Sequence, residues 1–135
     1  MDNHRFSKVN KMAEPVRDPK KLQSQVDEFQ NLQRQLQMVS MQRQQVQMQI
    51  EEMNMATEEL KTASGKVFRA IGNLLIETSV AAAKKEMAEK LETFEVRNGS
   101  LGKQEEKLRA RSEELRAYLE KALAASQNAA ADEAG

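Results

Sequence analysis

The chain has 135 residues, of which 31% are charged and 4% aromatic, with no Trp, no Cys, five Gly and two Pro. An ordinary compact core draws on aromatic bulk and turn residues that this composition lacks, so long helices or disorder are expected instead. Twenty-one basic residues balance 21 acidic ones, which speaks against a protein built to neutralise phosphate backbones, and the lack of cysteine excludes disulfides and thiolate metal sites.

Residues 1–17 are polar and unpatterned and are read as a disordered tail. They hold the lone histidine, His4, which has no patterned neighbour to make it a base or a metal ligand. The first residues lack the apolar core of a signal peptide, and no apolar run approaches the roughly 20 residues that span a bilayer. The expectation is a cytoplasmic protein with no membrane partner.

Asp18-Pro19 is a helix-start signal, because Asp can cap free N–H groups and Pro suits the first helical position. A helix is predicted over 18–63, with no Gly or Pro between Pro19 and Gly65. Counted in sevens, Leu22, Phe29, Leu36, Arg43, Ile50 and Thr57 form one row, and Gln25, Leu32, Val39, Val46, Met53 and Leu60 form the row three residues on. Mostly apolar rows with Gln, Glu, Arg and Lys between them are the signal of a coiled-coil seam. A helix of this span is about 60 Å long at 1.5 Å per residue and needs a partner helix to be stable.

Residues 66–78 follow, with the sequence KVFRAIGNLLIET. Two short Val-, Ile- and Phe-containing runs across a Gly-Asn pair predict a β-hairpin. A two-residue turn sets Ile71 against Leu74, Ala70 against Leu75 and Arg69 against Ile76. One face then carries Val67, Ile71, Leu74 and Ile76, and the other carries Phe68, Ala70 and Leu75. A solvated hairpin has one polar face, and this one has none. Val67, Phe68, Ile71, Leu74, Leu75 and Ile76 are therefore expected to be covered by hairpins of other subunits, giving a multi-subunit β body.

Ser79 is the candidate cap of a second helix over 79–125. Val80, Met87, Phe94, Leu101, Leu108, Leu115 and Ala122 form an unbroken seven-residue row. The companion row (Lys84, Leu91, Asn98, Glu105, Ser112, Leu119) is more polar. Gly99 and Gly102 mark either a soft stretch or a close helix approach. Residues 126–135 are read as a second disordered tail. Two helices of similar length joined by a hairpin should lie antiparallel.

The order of helix, "VFRAIGNLLIET" hairpin and helix, with "KKLQSQVDEFQNLQRQLQ" and "AAKKEMAEKLETFEVRNGSLGKQEEKLRARSEELRAYLEKAL", resembles the prefoldin family. The single hairpin fits its β class, and "LETFEVR…QEEKL" is similar to archaeal members. The resemblance covers about residues 20–124. It implies a hetero-hexamer of two α-class and four β-class subunits, whose hairpins form β-barrels and whose coiled coils protrude. It further implies an ATP-independent holdase that captures unfolded polypeptides at the coiled-coil tips and delivers them to a group II chaperonin. The fold class expected is thus mainly α, an antiparallel two-helix coiled coil joined by one hairpin.

Antiparallel pairing around the hairpin gathers Leu22, Val26, Phe29, Leu115, Tyr118, Leu119 and Leu123 at the free helix ends. These are the candidate contacts for unfolded protein. Closure of the coiled coil accounts for much of Leu22, Leu115 and Leu119, whereas Val26, Tyr118 and Leu123 lie off the strict rows and should be partly exposed. Met38, Met41, Met48 and Met55 also lie off the rows, as flank packing, neutral helix formers or an adaptable surface. No nucleophile–base pair, phosphate loop or ligand cluster is recognisable, so no enzyme, metal or cofactor is expected. Charge balance disfavours nucleic acid. A coiled-coil tether without client binding is the alternative reading.

Overall fold

A computed structural model describes residues 18–134; the expected tail over 1–17, with His4, lies outside the described residues. The elements are helix α1 (Pro19–Lys61), strands β1 (Val67–Ile71) and β2 (Leu74–Thr78), and helix α2 (Val80–Ala134). Two long helices joined by a two-stranded antiparallel hairpin are the architecture that the sequence predicts.

Local chemistry fixes each element boundary. The Asp18 side chain accepts a hydrogen bond from the Lys20 amide at 3.0 Å, and its carbonyl accepts from the Leu22 amide. Pro19, with no N–H to satisfy, occupies the first helical position. Ser79 does the same for α2: its hydroxyl accepts from the Ala82 amide at 3.0 Å and its carbonyl from the Ala83 amide. The connection from α1 to β1 passes through Gly65 at φ 95°, a left-handed conformation that L side chains rarely adopt. α2 continues beyond the expected end at 125 to Ala134. The segment after 125 has no seam, but it is rich in alanine, the strongest helix former, and contains no Gly or Pro before Gly135.

The chain divides into two compact units: the stretch up to Met38 with that from Glu105, and Val39–Gln104. In the first unit Leu115 is 1% exposed and Ser112, Tyr118 and Ala122 are also buried. The Gln33 amide donates to the Ser112 hydroxyl at 2.8 Å, and the Arg111 guanidinium donates to Glu28 at 3.1 Å. Both links join α1 to α2. The polar seam residue Ser112 is thus satisfied across the helix pair, as a buried hydroxyl must be to avoid a desolvation cost.

In the second unit Val39, Val46, Ala83 and Leu101 are buried. Thr57, a polar residue on the α1 seam, bonds its hydroxyl back to the Met53 carbonyl at 2.7 Å. The two α2 glycines differ from one another. A Cβ at Gly102 would stand 3.8 Å from the Arg43 guanidinium, and one at Gly99 would meet nothing within 4 Å. Gly102 is therefore the site of close approach, by a side chain, while Gly99 faces open space. Neither interrupts the helix. Gly99→Ala and Gly102→Ala should each raise stability, by up to about 1 kcal/mol, read as a rise in the thermal unfolding midpoint. A fall for Gly102→Ala would show that the Arg43 contact admits no methyl group.

Candidate functional site

The hairpin lies in the second unit. Its register pairs Val67 with Thr78, Phe68 with Glu77, Arg69 with Ile76, Ala70 with Leu75 and Ile71 with Leu74. Gly72 has φ 58°, and among the described residues no non-glycine residue has positive φ. A single left-handed residue, glycine, at the first central position is the pattern of a type II′ turn, whose twist matches that of the strands.

This register sorts the side chains into the two predicted faces. Val67, Arg69, Ile71, Leu74, Ile76 and Thr78 share one, and Phe68, Ala70, Leu75 and Glu77 share the other. Phe68, Ile71, Leu74, Leu75 and Ile76 are 53%, 47%, 67%, 72% and 46% exposed, and Val67 is half-buried. Large apolar side chains therefore stand in solvent on both sides of a two-stranded sheet. Each strand is hydrogen-bonded on one side only.

The polar member of the first face ties the hairpin to α2. Arg69 Nε lies 3.0 Å from Glu86 Oε1, and Lys90 Nζ reaches the same oxygen at 3.3 Å. Glu86 and Lys90 stand one helical turn apart, and Arg69 joins their pair from the hairpin, a link that the sequence pattern does not reveal. Between hairpin and helices an open cleft of about 730 Å³ is lined by Leu60, Val67, Phe68, Ala83, Glu86 and Met87, among others. It is a concave, largely apolar surface next to the exposed strands.

The free helix ends belong to the first unit, which brings together all seven residues expected there. Leu22, Val26, Phe29 and Leu119 are half-buried, Leu115 and Tyr118 are buried, and Leu123 is 58% exposed. Tyr118 departs from the expected partial exposure. It follows Leu115 by three residues and precedes Ala122 by four, so it shares their face of the helix, and a strict count of sevens passes it over. The surroundings are charged: Arg116 bonds Glu113 at 3.0 Å and Glu120 at 2.6 Å. The hydrogen bond that Arg116 donates to Glu113, the charge of Glu113 and then that of Glu120 raise the pKa of this guanidinium, which stays protonated as arginine does.

Among the described residues no group of three or more His, Cys, Asp or Glu could hold a metal ion. No helix among the described residues is long and apolar enough to cross a membrane.

Comparison with known proteins decides the family. The family description "Prefoldin subunit" matches residues 23–126. This chain belongs to the prefoldin subunit family. Its relatives place it in the β class. The prefoldin subunit beta of Archaeoglobus fulgidus is 39% identical over 107 residues, which cover 78% of this chain and 92% of that protein. That of Methanococcus maripaludis is 41% identical over 62 residues, covering 46% and 55% of the two chains. The crystal structure of the prefoldin beta subunit from Thermococcus strain KS-1 superposes with a TM-score of 0.72 at 34% identity, covering 78% of this chain and 94% of that one. These relatives are archaeal, in line with the archaeal character of the prefoldin motifs in α2. The span matched by the family takes in most of α1, the whole hairpin, α2 as far as residue 126 and the candidate contact residues from Val26 to Leu123.

Proposed function

We propose that this prefoldin subunit is an ATP-independent holdase component, acting in a cytoplasmic hetero-hexamer of two α-class and four β-class chains. The observation that carries the reading is the hairpin with large exposed apolar side chains on both faces. Leaving such side chains wet forgoes roughly 1.5–3 kcal/mol for each large one that could be fully buried, and an isolated hairpin is only marginally stable. Hairpins of neighbouring subunits would cover Val67, Phe68, Ile71, Leu74, Leu75 and Ile76, extend the sheet at its open edges into a β-barrel body and fill the cleft beside Leu60 and Met87.

Client capture is assigned to the free helix ends. Leu123 offers the most exposed surface there, with Leu22, Val26, Phe29 and Leu119 contributing part of theirs. Leu115 and Tyr118, being buried, support these residues from beneath. Each contact is weak, and several subunits holding one unfolded chain supply retention through avidity without nucleotide hydrolysis. Release to a group II chaperonin would complete the cycle.

The test is co-assembly with an α-class partner and dilution of a denatured client into the mixture. The expected result is slowed aggregation, lost when residues 1–29 and 115–135 are deleted, with the assembled mass otherwise retained. Aggregation at one rate with and without the complex rejects the holdase reading. Loss of assembly on deletion makes the helix ends structural, and a simple dimer with no affinity for the client supports a coiled-coil tether.

A further inference from the structure

Met41, Met48 and Met55 recur every seven residues along α1 and are 62%, 60% and 70% exposed. All three lie within the unit Val39–Gln104. Exposure of this size rules out flank packing within the chain. Seven residues turn a helix to within about 20° of the starting direction, so the three thioethers line one face over about 21 Å.

The surface around them is unusual for this protein. Between Glu28 and Glu51 the charged residues of α1 are Arg34 and Arg43, and Arg43 is half-buried with its guanidinium against Gly102. The exposed neighbours of Met41 and Met48 include Gln42, Gln44, Gln45 and Gln47, while exposed Glu51, Glu52, Glu58 and Glu59 lie one turn from Met55. On α2, by contrast, exposed Lys, Arg and Glu recur in nearly every turn.

A face of thioethers and amides, bordered by glutamates at its Met55 end, has a definable ligand. Methionine is unbranched and polarisable, so it adapts to apolar groups of varied shape, and glutamine can both donate to and accept from a backbone. Three side chains offer at most a few hundred Å² of apolar surface, well under the roughly 800 Å² per partner of a stable protein interface. A second folded copy is thus a poor occupant. A short extended segment fits: about six residues at 3.3–3.4 Å each cover the line. We propose that Met41, Met48 and Met55 form a lateral contact strip for apolar segments of unfolded polypeptide, separate from the helix ends. The proposal rests on the holdase reading above.

The experiment uses the full chain co-assembled with its α-class partner. The probe is fluorescently labelled, reduced and carboxymethylated α-lactalbumin, which is permanently unfolded. Binding is followed by anisotropy. M41Q/M48Q/M55Q should weaken binding about tenfold while helix content and assembled mass stay unchanged, because glutamine is a good helix former at exposed sites. M41L/M48L/M55L should bind within about twofold of the parent. Equal binding by the glutamine variant and the parent overturns the strip and leaves the holdase reading standing, whereas no binding by the parent overturns both. Loss of helix or assembly in the glutamine variant also overturns the strip, by making the methionines structural.

Discussion

Phe68→Ser combined with Leu75→Ser should cut assembly at least about a hundredfold while leaving α1 and α2 helical. The two side chains share one hairpin face, set there by the pairing of Ala70 with Leu75 and Phe68 with Glu77, and are 53% and 72% exposed in the single chain. Losing cover of the exposed part of each, with a serine hydroxyl buried in its place, costs roughly 1.5–3 kcal/mol. Forfeiting even the lower figure twice amounts to about two orders of magnitude in an association constant. Neither residue contributes to the helix pair, so far-ultraviolet circular dichroism should hardly change while native mass measurement shows smaller species. An unchanged mass would mean that this face is not an interface.

Leu115→Ala should have the largest effect on folding of any single truncation in the first unit. Leu115 is 1% exposed, the largest fully buried side chain among the described residues, and truncation of such a leucine costs about 2–5 kcal/mol through lost transfer energy and the cavity left behind. Chemical denaturation monitored by circular dichroism would read it. Leu123→Ala, at 58% exposure, should change stability by less than about 0.5 kcal/mol. A comparable loss for both would mean that Leu123 is packed in the assembled protein.

Much of this architecture is legible in the sequence, for reasons that differ by element. Every position of the two α1 rows, from Leu22 to Leu60, is buried or half-buried. Seven-residue spacing is a geometric demand of paired helices, so even Arg43, Gln25 and Thr57 are drawn onto the seam. The hairpin was readable because Gly72-Asn73 fixes both turn and register. The companion row of α2 was less so: Lys84 is exposed and Ala83 is buried in its place. A straight helix drifts against a count of sevens, a small alanine tolerates the closer approach, and a lysine keeps its ammonium in water. The burial of Tyr118 escapes the same count for the same geometric reason. The last turns of α2 carry no apolar row, and only alanine content marked them as helical. Candidate client contacts are the least legible part, because exposure of Val26 or Leu123 depends on which neighbouring turn the partner helix presents.

The open edges of the two-stranded hairpin have a consequence for how the chain responds to dilution. Backbone amides on the outer sides of β1 and β2 have no strand to bond among the described residues, and a lone hairpin sits near the balance between closed and open. Anything that binds the closed form draws that balance over in proportion to its own concentration. On the assembly reading, the order of residues 67–78 is then set by how many other subunits are present. A subunit made in excess of its partners would display a frayed, apolar segment between two intact helices, a state chemically distinct from the assembled one.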